Sequence, residues 1–224
     1  MKKLLLLLFF IPHLSFAVNL PGVGGGSFRV PVKSFSDIKF GEVVKQQYDF
    51  SCGSAALASL LTHHYDMPIT EATVFEEMFK YGDKEKIEEK GFSMLDMKNF
   101  LARRGLNADG YQLKISDVAK LEMPSIALVN YNGYNHFVVV KGSRDDKVLV
   151  GDPSIGLHIM NDEIFDESSN GIFFFIRDNT EIAKASFNKK DDWEHSAPSA
   201  PSKMALIQRF PHLTDLMLPS EYDY

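Results

Sequence analysis

One cysteine, one tryptophan and no long apolar run beyond the opening residues set the limits of this 224-residue chain. A lone thiol, Cys52, cannot close an internal disulfide, so no covalent staple holds the fold. It also cannot supply a cysteine pair at zinc-ligand spacing, and the seven histidines are scattered, so neither a metal nor another cofactor is implied. Positive charge is scarce as well. Twenty-four Lys and Arg against 30 Asp and Glu give a formal charge of -6, which argues against nucleic acid or an anionic membrane surface as the main partner. No internal repeat is present. About 200 residues beyond the leader are enough for one domain with a real core.

The start of the chain has a different character. Met1-Lys2-Lys3 is basic, Leu4 to Ile11 is apolar, Pro12 breaks the run, and Ser15-Phe16-Ala17 offers small residues where a signal peptidase reads. Residues 1–17 therefore read as a secretory signal peptide, too short to span a bilayer. Cleavage after Ala17 would leave a mature chain with no stable membrane span, and the leader's composition points to the bacterial periplasm. A single cysteine suits such an oxidising compartment, because no second thiol is available for a damaging intramolecular bridge.

Residues 18–40 read as a Gly- and Pro-rich flexible lead-in followed by an edge strand at Phe28 to Val32, where Pro31 keeps the strand at an edge. A buried helix is expected from Cys52 through Leu61, a second capped by Thr70, and a third running from Ser93 to Gly105. The charged stretch Asp83 to Lys90 reads as a solvated face or loop, and His63-His64 as a solvated helix end. Beyond residue 107 the runs become β-branched and aromatic: 108–113, 125–129, 137–140, 147–150 and 171–176 are spaced like hairpins. Helices first and strands later predict an α+β domain over 41–178. Residues 179–224 read as a weakly ordered tail, with Ser196 to Ser202 as a linker and Met204 to Leu218 as a short docking segment.

Cys52 opens the predicted first helix. A free cysteine is commonly a buried structural thiol. A helix N-terminus, however, favours an anion through its unpaired N–H groups, and a thiol attacks only as thiolate. A base is then needed. Of the histidines, His63 and His64 lie about 16 Å along the same helix, and His158 sits inside a strand beside Ile159. His136 differs, because it opens the strand Phe137 to Val140 directly after a polar turn. Asp152 ends the next strand and could orient that imidazole if the two strands pair, although an aspartate before proline is also a common turn residue. Gln46 could donate its amide to a developing oxyanion together with the Cys52 N–H. Gly53 and Asn135, beside the thiol and the imidazole, are the expected substrate-binding positions.

The Gln46-x5-Cys52-Gly53-x-Ala55 pattern, the His136-Phe-Val-Val-Val run and Asp152-Pro153 after the next strand resemble the double-glycine leader peptidases, the papain-like bacteriocin-processing family. The likeness extends from about Val43 to Arg177. It implies a papain-like cysteine peptidase fold, with Cys52 as nucleophile, His136 as base, Asp152 orienting it and Gln46 supporting the oxyanion. With a signal peptide, no transporter domain and no nucleotide-binding motif, the chain is similar to a free-standing exported branch, of the kind that serves functional-amyloid secretion. The expected function is a periplasmic endopeptidase that cleaves a secreted peptide or protein after small residues, glycine above all, through a thioester. The expected partners are an amyloid subunit or an export component. The competing reading is a non-catalytic binding or chaperone module that uses the same cleft.

Overall fold

The computed structural model describes residues 17–21, 27–31, 39–48, 50–131 and 133–198. The leader core and the 204–218 segment lie outside the described residues. The chain divides into two compact units, 1–37 and 38–224. In the first, β1 (Ala17–Pro21) pairs antiparallel with β2 (Ser27–Pro31). The expected strand is β2, and β1 occupies part of the stretch read as flexible.

In the second unit the helices come first. Helix α1 (Cys52–His64) is buried without a break from Cys52 to Leu61. Its small residues Ala55, Ala56 and Ala58 let the backbone lie close to its neighbours, while Leu57, Leu60 and Leu61 fill the remaining volume. Helix α2 (Glu71–Tyr81) starts where the Thr70 hydroxyl accepts the Thr73 N–H at 3.2 Å. Residues 84–90 form a helix, α3 (Lys84–Lys90), rather than the expected loop, because Asp83 caps it and Ile87 anchors its inner side in the core. Helix α4 (Met94–Arg103) opens on a reciprocal Ser93–Asp96 capping box and buries Met97, Phe100 and Leu101.

The sheet follows: β3 (Ala108–Gln112), β4 (Ser125–Tyr131), β5 (Tyr134–Arg144), β6 (Lys147–Asp152), β7 (Gly156–Asn161), β8 (Ser169–Ile176) and β9 (Ala197–Pro198). Their order is β3-β8-β4-β5-β6-β7-β9, antiparallel except for the β7–β9 edge. Strand β5 is covered on both sides. Phe137 and Val139 join α1 in one core, whereas Val138 and Val140 pack with Phe165 and Phe173 in another. This explains why the run is continuously apolar rather than alternating. The second face is covered by two helices absent from the sequence reading, α5 (Ile115–Leu121) and α6 (Asp162–Ser168). Each is seven residues long and buries few side chains, too short for a clear helical period. Among the described residues no helix is long and apolar enough to cross a membrane.

Residues 179–198 form defined elements where weak order was expected. Helices α7 (Thr180–Ala185) and α8 (Lys190–His195) lead into β9 on the sheet edge. Trp193 is buried among Phe40, Val43, Leu149 and Leu157, with the Arg144 guanidinium 4.2 Å from its ring centroid. Lys141 of β5, buried, meets Asp192 at 3.0 Å and the Glu42 carbonyl at 3.2 Å. His64 is not a solvated helix end either: it is buried, with Nδ1 2.7 Å from the Ser186 hydroxyl. Removing Lys141 leaves Asp192 as an unpaired interior charge. Lys141→Ala is therefore expected to cost about 3–5 kcal/mol, read as a lowered urea midpoint with Trp193, the sole tryptophan, as the fluorescent reporter.

Candidate active site

The site forms where the start of α1 meets the open ends of β5 and β6. At α1 the first helical hydrogen bond runs from the Ala55 N–H to the Ser51 carbonyl, at 3.0 Å. The N–H groups of Cys52, Gly53 and Ser54 precede it and have no acceptor within the helix. Ser51 is the cap residue, yet its side chain makes no capping bond. Cys52 is buried to 8 % exposure, at the edge of the α1 core.

His136 enters from β5, opposite Val129 of β4. Its Nε2 lies 2.8 Å from Asp152 Oδ1, with the two side chains 2 % and 1 % exposed. Its other nitrogen, Nδ1, is buried without a hydrogen-bond partner among the described residues, and the Cys52 thiol is the neighbour that acts on the ring beside Asp152. Burial opposes a charge on His136, but the hydrogen bond to Asp152, then Cys52, outweigh it and lift the imidazole to about 9. Burial works against the Asp152 carboxylate too, and His136 more than offsets it, holding the carboxyl below its usual range. The rings of Tyr134 and Tyr131 flank the imidazole, with centroids 6.0 and 6.2 Å away.

Asp152 has both of the roles weighed in the sequence. Its Oδ1 orients His136 and also accepts the N–H groups of Ser154 at 2.7 Å and Ile155 at 3.2 Å, an Asx turn. That turn reaches Gln46, whose N–H donates to the Pro153 carbonyl at 3.0 Å and whose Oε1 accepts the Ser154 hydroxyl at 3.0 Å. With the oxygen so held, the amide N–H groups of Gln46 are left for another acceptor. Gln46, Cys52, His136 and Asp152 thus come together.

The two expected substrate positions fare differently. Gly53 is buried, and a Cβ there would lie 3.0 Å from the Met97 methyl and 3.1 Å from Phe92 Cβ, so a side chain would need its neighbours to give way. Only its backbone is left to meet a substrate. Asn135 alternates away from Tyr134 and His136 along β5, and its Oδ1 accepts from Asn130 across the hairpin at 2.8 Å. It shapes the turn rather than lining the cleft.

Four participants were not read from the sequence. Ser154 was signalled only by Asp-Pro-Ser, a turn signature. His158, on β7, is buried near Asp152 with its Nδ1 3.2 Å from the Gly156 carbonyl; its strand hid it. Tyr134 has no sequence signal beyond its spacing from His136. Glu71 starts a helix 19 residues after Cys52 and reaches back to the loop before it. Among the described residues no three His, Cys, Asp or Glu side chains converge to hold a metal ion.

This arrangement sets a thiol beside an imidazole that holds its proton, at a helix start whose first N–H groups have no acceptor within the helix. A proton held on His136 below about 9 and lost above it sets an alkaline limit on any step that needs the imidazolium as acid. The ring's raised proton affinity also stabilises the fold, fully below its ordinary value and progressively less as pH rises through about 9. Asp152→Asn removes the strongest of the effects that raise it and leaves burial to dominate. The alkaline limb of the kcat/KM profile is therefore expected near pH 9 in the natural protein and at distinctly lower pH in Asp152→Asn, with histidine NMR titration reporting the same displacement.

Residues 41–181 match the model of the peptidase C39 family. The chain is 38% identical over 153 residues to the "Probable functional amyloid protease FapD" of Pseudomonas aeruginosa, covering 68% of each chain. It is 36% identical over the same length and shares to the protein of that name from Pseudomonas fluorescens. Among solved structures, the peptidase domain of Streptococcus ComA, a bi-functional ABC transporter, superimposes with a TM-score of 0.52 at 24% identity, over 60% of this chain and 96% of that domain. The mixed helical and antiparallel architecture agrees with the fold expected from the double-glycine leader peptidases. With a family model spanning more than half of its length and relatives above 30% identity, this chain belongs to the peptidase C39 family and is a cysteine peptidase.

Proposed function

We propose that the chain is an exported periplasmic endopeptidase that cleaves a secreted protein after small residues, glycine foremost, with Cys52 as nucleophile. One observation carries the reading. A cysteine peptidase needs a thiol, this chain has one, and that thiol opens α1 beside the buried His136–Asp152 pair. The thiolate attacks the scissile carbonyl carbon, and the carbonyl oxygen takes the negative charge. The Cys52 N–H and the Gln46 amide are suited to receive that oxyanion. The imidazolium of His136 then gives its Nδ1 proton to the leaving amine as the C–N bond breaks, leaving a thioester. Water, deprotonated by the now neutral imidazole, attacks the thioester; the C–S bond breaks and the thiolate–imidazolium pair is restored. Asp152 keeps Nε2 protonated and the ring aimed throughout.

Substrate preference follows from the walls of the site. Tyr134 stands over His136, which favours residues without bulk at the scissile bond. On the other side, Tyr48 and Phe50 are exposed and meet Phe75 at 5.2 and 5.6 Å between ring centroids, with Phe79 stacked beyond. This aromatic strip suits apolar side chains of an extended segment. The leader at residues 1–17 supports export to the periplasm. The likeness to the Pseudomonas functional amyloid proteases supports a substrate within a functional-amyloid system, either the amyloid subunit or an export component.

The purified protein, incubated with candidate secreted partners and read by mass spectrometry, is expected to release fragments ending in glycine or another small residue. Cys52→Ala is expected to reduce that release by several orders of magnitude. Equal processing by Cys52→Ala would sink the proposal. A product carrying an added amine in place of a free carboxylate would replace hydrolysis with transpeptidation.

A further inference from the structure

Serine is among the best helix N-caps, because its hydroxyl accepts an N–H of the first turn. Ser51 stands at that position and makes no such bond. Its buried hydroxyl instead has two acceptors for its one proton, Glu71 Oε1 at 2.5 Å and the Tyr48 carbonyl at 2.8 Å, and itself accepts the Tyr48 N–H at 3.2 Å. The same Glu71 oxygen accepts the Gln47 N–H at 3.2 Å. Glu71 is itself 2 % exposed, and its second oxygen has no hydrogen-bond partner among the described groups. One carboxylate oxygen therefore holds the residue before Cys52 and the residue after Gln46.

We propose that Glu71 is a positioning residue that sets the oxyanion site by turning the Ser51 hydroxyl away from the α1 N-terminus and pinning Gln47. The inference rests on the reading of Cys52 as nucleophile and Gln46 as oxyanion donor. Its first effect is on the helix start: with Ser51 engaged elsewhere, the Cys52 N–H and its neighbours stay open to an anion. Its second effect is on Gln46. That residue is tied on one side to the Asp152 turn through Pro153 and Ser154, and on the other, through Gln47, to Glu71. A hydrogen-bonded bridge thus runs from the histidine side to the cysteine side, and among the described residues Glu71 is its only member outside the two loops. A donor displaced by about 1 Å can lose on the order of a hundredfold in rate.

The test compares Glu71→Ala, Glu71→Gln and Gln46→Ala on a fluorogenic peptide with apolar residues followed by Gly-Gly and a coumarin amide. Cys52 alkylation by iodoacetamide, which needs no oxyanion site, is measured in parallel. Glu71→Ala is expected to lower kcat by about 10- to 100-fold with KM and alkylation rate nearly unchanged. Glu71→Gln keeps an acceptor oxygen and is expected to restore kcat to within about threefold. Adding Glu71→Ala to Gln46→Ala is expected to cost less than the product of the two single losses. Full kcat in Glu71→Ala beside a loss in Gln46→Ala would overturn the bridge alone. Full kcat in Gln46→Ala would overturn the oxyanion role of Gln46 and, with it, half of the bridge. A fall in alkylation that tracks the fall in kcat would show Glu71 acting on the thiol or the fold instead. Trp193 fluorescence confirms that each variant is folded.

Discussion

The site depends on the burial of α1 against β5. Helix α1 has no face turned to water over its first ten residues, so its axis and rotation are fixed by contact on every side. Phe137 and Val139, in the strand that carries His136 as its third residue, sit in the same core as Leu57, Leu60 and Leu61. Each such side chain contributes about 1.5–3 kcal/mol on burial, and a shift of the helix would sacrifice several together. The distance from the Cys52 Sγ to the His136 ring is thereby set by the most strongly packed part of the molecule. Gly53 shows how tight the docking is, since even one methyl there would press on Met97 and Phe92.

That packed setting alters what charge can do. A buried carboxylate and imidazole would each lose their charge in isolation, because water no longer solvates them. Paired at 2.8 Å, with Asp152 also receiving two backbone N–H groups, they hold it. The pair has two ends. Asp152 anchors Nε2, so Nδ1 is the nitrogen left for the thiol, and the tautomer needed for proton transfer is set by the strand pairing of β5 with β6. The Asx turn that satisfies Asp152 is also the turn that grips Gln46. One carboxylate therefore organises both the base and the expected oxyanion donor.

Much of this was legible in the chain, for identifiable reasons. Capping signals at Thr70 and Ser93 located α2 and α4, because a side-chain cap is a local interaction that needs no tertiary context. The strand runs were visible because a sheet covered on both faces needs uninterrupted Val and Phe. His136 and Asp152 stood out because they interrupt or end such runs. Glu71 could not be read this way: it occupies an ordinary first-turn position for an acid, and only the return of α2 beneath the Cys52 loop gives it partners. Ser51 is a similar case: its place before α1 suits a cap, yet the Glu71 carboxylate and the Tyr48 carbonyl take its hydroxyl. Residues 179–198 were misjudged because their buried aromatic residues, Phe187 and Trp193, are isolated in a charged sequence, and two anchors carry no periodicity.

Those two anchors bear on the site. The family match ends at residue 181, yet the stretch from 187 to 193 completes the packing under both sides of the cleft. The Asn188 N–H donates to the Lys141 carbonyl at 2.9 Å, five residues along β5 from His136. Lys189 meets the Glu42 carboxylate at 2.8 Å, four residues before Gln46. Lys141 joins the two, reaching Asp192 of α8 and the Glu42 carbonyl from the interior. An interior lysine is costly to desolvate, and packing alone would have been served by an apolar residue there. What the charge adds is direction: it draws three separate stretches of chain to one point near the end of α1. The strand bearing His136 and the segment leading to Gln46 are thereby braced by residues the peptidase family match does not include.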